Sequence, residues 1–128
     1  MPVSHLEHFL IIADDIEATT TWYVDVLGFR QGMHPDFGVP VNWLYLDDGD
    51  VIHIAQAPKD EIDGKSPATS SRDDIARGGR PIHHVAFRAS GLKQTLSYLA
   101  SKGVTYIEQQ GGAQNLYQVF LQDPNGIT

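Results

Sequence analysis

Six histidines and no cysteine leave imidazole as the chain's main nitrogen ligand and its main group for moving protons near neutral pH. Three of the six sit inside apolar runs that read as strands: His8-Phe9-Leu10-Ile11, Val51-Ile52-His53-Ile54 and His84-Val85-Ala86-Phe87. Neutral imidazole binds ions such as zinc, iron and nickel, and three imidazoles with an open position can hold a catalytic metal. His53 is also a candidate proton carrier. Three unrelated strand histidines are the plainer alternative. His5 and His34 read as ordinary surface residues. Neighbouring side chains on a strand point to opposite faces, so His83 turns away from whatever His84 faces and reads as structural.

The elements that would carry these residues repeat. Residues 5–13 predict a strand, and Asp14 or Asp15 then caps a helix whose stripe is Ile16, Thr20, Tyr23 and Leu27. Gly28 closes it. Strands follow near 29–37, 41–47 and 50–57, the last two joined by the hairpin signal Asp47-Asp48-Gly49-Asp50. A polar stretch, 58–80, separates this β-α-β-β-β unit from a restart at Pro81. There Pro81 to Arg88 predicts a buried strand, Ser90 a cap, and Leu92, Leu96 and Leu99 a helix stripe closed by Gly103. Strands near 104–109 and 115–122 lead to the turn Asp123-Pro124-Asn125-Gly126. The offset between His8 and His84 is 76, and Leu46 maps to Leu121 one residue out of step. The chain is therefore expected to be one α+β domain of two modules, 4–57 and 81–128, the second with its last strand incomplete.

Bulk properties narrow the partners. A length of 128 residues suits one domain. A formal charge of -7 argues against nucleic acid, whose phosphates need a basic face. No apolar run reaches membrane-spanning length, and absent cysteines fit a reducing compartment. The expected setting is cytoplasmic, and the expected partner is a small molecule.

The run from His8 to Phe29, with Trp22-Tyr23 and Val26-Leu27-Gly28-Phe29 at its end, resembles the opening of a vicinal oxygen chelate domain. His83-His84-Val85-Ala86-Phe87 and Phe120-Leu121-Gln122-Asp123-Pro124-Asn125-Gly126 are similar to its second half. That superfamily includes glyoxalase I, methylmalonyl-CoA epimerase, type I extradiol dioxygenases, fosfomycin-resistance enzymes and bleomycin-binding proteins. The resemblance implies two βαβββ modules whose sheets close around a divalent metal (zinc, nickel, iron, manganese or cobalt), often in a homodimer. It implies ligand roles for His8 and His84, and it places His53 where glyoxalase I has a glutamate ligand. The family's last ligand, a glutamate after the Asp-Pro-x-Gly turn, falls past Thr128. Either the sequence continues beyond it or the site is a three-histidine one. Asp123 belongs to the turn and is not expected to stand in.

Two chemistries follow from the resemblance. In one, as in glyoxalase I or the epimerase, the metal chelates vicinal oxygens of a small substrate and stabilises an enediolate while a proton moves, making the protein a lyase or isomerase. In the other, an extradiol-type dioxygenase, ferrous iron leaves a face for catecholate and oxygen. Here Phe120 stands at that family's tyrosine place, and positions 111–113 hold no histidine. Antibiotic sequestration, as in bleomycin-binding proteins, is the non-enzymatic alternative. If Phe120 faces the site as its family counterpart does, strand parity adds Gln118, and the repeat adds Trp43 and Tyr45. Together these four suit a flat or apolar substrate with one polar handle, or simply pack the sheets.

Overall fold

The computed structural model describes residue 2 and residues 4–59, 84–111 and 116–128. His83 and most of the expected linker lie outside the described residues. The chain divides into two compact units, Met1–Arg80 and Pro81–Thr128. Among the described residues, no helix is long and apolar enough to cross a membrane.

The first unit follows the order β-α-β-β-β. Strand β1 (Phe9–Ala13) leads into helix α1 (Ile16–Leu27), then β2 (Arg30–Gly32), β3 (Val41–Leu46) and β4 (Gly49–Gln56). The sheet order is β1-β4-β3-β2, with β1 parallel to β4 and the other pairs antiparallel. Asp15 starts α1 by accepting the Ala18 N–H at 3.0 Å, and Gly28 ends it in the left-handed region at φ 79°. Gln56, at the end of β4, reinforces the start. Its Oε1 accepts the Ile16 N–H at 3.0 Å, and its Nε2 donates to the Asp14 carbonyl at 2.7 Å.

Strand alternation sorts the sheet into two faces. Ile11, Ala13, Leu44, Ile52 and Ile54 are buried together with Ile16, Thr19, Thr20 and Tyr23 of α1. Burying each large aliphatic of that set contributes about 1.5–3 kcal/mol. Asn42 is buried on the same side, its amide donating to Thr20 Oγ1 at 2.9 Å, so no desolvated polar group is left unmet there. The other face carries Leu10, Ile12, Trp43, Tyr45 and His53, all half-buried or exposed.

Two expectations for this unit change in detail. β2 ends at Gly32 instead of running toward residue 37. Pro35 lacks an N–H for a ladder, and Asp36 turns the chain by accepting the Gly38 N–H at 2.8 Å. Leu46, which strand alternation puts on the same helix-packed face as Leu44, is 40% exposed beside the hairpin turn. That turn forms as expected, with Leu46 opposite Gly49 and Asp47 in the left-handed region at φ 51°.

The described part of the second unit holds helix α2 (Leu92–Ser101), β5 (Ile107–Gly111) and β6 (Leu116–Phe120), the strands antiparallel. Leu99 is its buried anchor, whereas Leu92 remains 41% exposed. Gly91, not Ser90, is the N-cap, in the left-handed region and with no side-chain bond to the helix. Residues 84–90 do not form the expected strand. The Val85 N–H donates to the Thr128 carbonyl at 3.1 Å, and a strand needs a ladder of successive backbone bonds.

Candidate functional site

Three of the residues singled out by type and spacing meet on the open face of the first sheet. β3 and β4 are in register with Trp43 opposite His53, and the two rings stack at 4.0 Å with 2° between their planes. His8, just before β1, lies on the other side of His53, ring to ring at 3.7 Å and 18°. The imidazole of His53 is thus sandwiched between an indole and a second imidazole. Parallel pairing of β1 with β4 brings the two histidines together, since Leu10 lies opposite His53 and His8 shares the face of Leu10.

Each histidine carries a carboxylate. His53 Nε2 lies 2.7 Å from Asp50 Oδ2, and His8 Nδ1 lies 3.1 Å from Glu7 Oε1. The hydrogen bond from His53 holds the Asp50 carboxyl below the usual carboxylate range. Neither carboxylate was singled out from the sequence. Asp50 is three residues from His53, a spacing that on a regular strand puts two side chains on opposite faces. A bulge removes that separation. Leu44 pairs with Ile52 but Leu46 with Gly49, so Asp50 and Val51 together stand opposite Tyr45. Residues before the bulge change face relative to those after it, and Asp50 arrives beside His53.

Tyr45 shares the face, but its hydroxyl is committed to the Met33 carbonyl, and its ring carries the Arg30 guanidinium at 4.9 Å. It pins the segment after β2. A Cβ on Gly32 would come within 2.7 Å of that ring, so glycine is what lets the ring lie there. The pinned segment brings aromatic neighbours to Trp43: His34 at 6.3 Å and Phe37 at 6.1 Å between ring centroids. His34, read from sequence as an ordinary surface residue, therefore belongs to the edge of the Trp43 cluster.

His84, Gln118 and Phe120 belong to the second unit. His84 meets Phe120 edge-on at 6.3 Å. Gln118 and Phe120 share a face of β6, the first exposed and the second half-buried. Asp123 is committed to its turn, Oδ1 accepting the N–H groups of Asn125 at 2.7 Å and Ile127 at 2.9 Å.

The donor types on the first unit suit a divalent ion. Two imidazoles share one place, and each has a carboxylate on one nitrogen, the arrangement that commonly orients metal-bound histidine. Near-parallel stacking sends their in-plane lone pairs side by side, so chelation of one ion requires a ring to turn. His8, outside β1 and 35% exposed, has the room. Within neither unit do three His, Asp or Glu side chains among the described residues form a ready ion site.

A family model, the Glyoxalase/Bleomycin resistance protein/Dioxygenase superfamily, matches residues 5–128. No curated protein matches the chain. Among solved structures, a lactoylglutathione lyase from Agrobacterium tumefaciens is similar at 17% identity and TM-score 0.64, over 99% of this chain and 91% of that one. TnmS3, an antibiotic-binding protein from Streptomyces sp. CB03234, is similar at 16% identity and TM-score 0.65, over 99% and 93%. A glyoxylase/bleomycin resistance protein/dioxygenase domain from Frankia sp. EAN1pec gives 16% identity and TM-score 0.69, over 98% and 93%. At these identities the likeness is one of fold, and with the family match over nearly its whole length, the chain belongs to the Glyoxalase/Bleomycin resistance protein/Dioxygenase superfamily.

Proposed function

We propose that the protein is a metal-dependent lyase or isomerase of the glyoxalase I and epimerase kind, acting on a small molecule that offers two vicinal oxygens. The observation that carries this reading is the meeting of His8 and His53, far apart in sequence, at 3.7 Å on the open face of the sheet. On this reading the chain is one domain of two modules. His8 and His53 supply ligands from the first and His84 from the second, in a cytoplasmic homodimer. A divalent ion held there would polarise the substrate's oxygens and lower the pKa of the adjacent carbon acid. Trp43 would line the substrate's path and keep His53 in plane. Phe120 and Gln118 would supply an apolar wall and a polar handle, and Tyr45 would hold the segment that carries Phe37.

His53 has one constraint to satisfy. A neutral imidazole has one lone pair in its ring plane, so His53 either ligates or accepts a proton, and we assign it the ligand role. Chelator-stripped protein titrated with zinc, nickel, cobalt, manganese or ferrous iron should take up one ion per site, and His8→Ala and His53→Ala should each abolish uptake. The loaded protein should then exchange a carbon-bound proton of α-hydroxycarbonyl substrates with deuterated water in the absence of oxygen. Oxygen consumption with a catechol would favour the ring-cleaving alternative instead.

A second reading rests on the aromatic cluster. Trp43 stacked on His53, with His34 and Phe37 beside it, is a surface on which a flat antibiotic could stack. Ligand binding without metal uptake would move the assignment to sequestration.

A further inference from the structure

We infer that Asp50 is the positioning residue of His53, fixing its imidazole as the Nε2–H tautomer and leaving the lone pair on Nδ1. The inference rests on the proposal that His53 belongs to the working site, and it adds which of its nitrogens works. An ionised carboxylate only accepts hydrogen bonds, so the 2.7 Å contact places the imidazole proton on Nε2. A neutral ring has one such proton, and Nδ1 is left bare.

Two restraints act on different freedoms of the ring. Trp43 at 4.0 Å and His8 at 3.7 Å clamp its plane from both sides. A ring flipped by a half-turn about Cβ–Cγ would fill the same stack, with Nδ1 exchanged for Cδ2 and Nε2 for Cε1. Asp50 closes that freedom, because the half-turn would break its bond. The β4 bulge delivers the carboxylate to this face, and a regular strand would have sent it to the other. Asp50 is therefore set by backbone geometry against one nitrogen of one ring. The group that meets Nδ1 must be a Lewis or Brønsted acid, a metal cation or an acidic proton of the substrate.

The test is long-range nitrogen–proton correlation of 15N-histidine-labelled, metal-free protein at about pH 8, where an unperturbed imidazole is neutral. His53 should show a protonated Nε2 and an unprotonated Nδ1. Asp50→Asn, whose amide can donate to the ring, and Asp50→Ala should both shift His53 toward the Nδ1–H form, Asp50→Glu should restore the original signature, and Asp48→Asn should leave it unchanged. A wild-type Nδ1–H signature, or one that is unmoved in both Asp50→Asn and Asp50→Ala, would overturn the inference, as would an equal shift in Asp48→Asn. The tautomer is read without metal, so the two proposals fail separately. Protein that takes up no ion but keeps the expected signature refutes the metal reading alone. Protein that takes up an ion with the opposite tautomer refutes only the role of Asp50.

Discussion

Two aspartates sit at turns in the two modules and do opposite things. Asp123 turns inward on its own backbone, 6% exposed, and its Oδ1 collects the N–H groups of Asn125 and Ile127. Asp50 follows the Asp47–Asp48 turn and reaches away from it to the ring of His53. The same carboxylate holds a fold together in one place and aims an imidazole in the other. What separates them is backbone geometry: a proline-containing turn that points its own N–H groups at the side chain, against a bulge that swings the side chain to another face.

Stability should break the symmetry most strongly. Asp123→Ala strands two backbone N–H groups that are partly shielded from water, and should cost about 2–4 kcal/mol, read as a lower midpoint in urea unfolding at unchanged slope. Asp50→Ala should leave the midpoint close to that of the wild type, because Asp50 is only half-buried and water can take its place beside His53. As a yardstick within the first module, Ile54→Ala should cost about 2–5 kcal/mol, the range for truncating a buried aliphatic. Comparable losses from the two aspartate variants would mean that Asp50 is a structural residue and that the contrast is false.

Ion binding should reverse the ranking. On the proposed function, Asp50→Ala should weaken uptake by about 10–100-fold, the usual effect of removing the outer partner of a ligating histidine. Asp123→Asn, which keeps an oxygen acceptor in the turn, should leave affinity within about 2-fold of wild type on the same reasoning. Calorimetric titration of both variants settles the order. Equal affinity in wild type and Asp50→Ala would detach Asp50 from the metal reading.

Much of this geometry is legible in residue types and spacing. Asp15 and Gly28 bound α1 because their short carboxylate and missing Cβ suit helix ends, and both roles are visible in residue type. The repeat and strand parity, starting from the family place of Phe120, point to Trp43 and Tyr45 on one face, and the resemblance alone points to His53. The role of Asp50 was hidden because a bulge is a property of two paired strands, and nothing in Gly49-Asp50-Val51-Ile52 alone announces it. The Ser90 cap failed for a related reason. A neighbouring Gly91 can take the left-handed entry that Ser90 would resist, and the sequence offers both without ranking them. The stack of His8 on His53 follows from parallel pairing of β1 with β4, a contact between distant segments that residue type suggests only through repeat symmetry.

The smallest expected effect is at the pH extremes, where the modules should again part company. Asp50 has a folded pKa below its usual value because it accepts a bond from His53. Its contribution to stability is therefore complete above the unfolded carboxylate value, about 4, and is lost as pH falls through the lower folded value. In the second module Tyr117 donates to Glu108, and that bond, which the phenolate cannot make, raises the tyrosine pKa. Its contribution is complete below the unfolded tyrosine value, about 10, and is lost as pH rises through the higher folded one. Asp50 is half-buried and Tyr117 exposed, so the changes should be slight and best seen as differences between urea midpoints. The gap between wild type and Asp50→Asn should close toward acid pH and stay constant toward alkali, while that between wild type and Tyr117→Phe should do the reverse. A gap for Asp50→Asn that persists unchanged into acid would mean that the carboxylate's charge plays no part in holding His53, and that the pair is held by the stack alone.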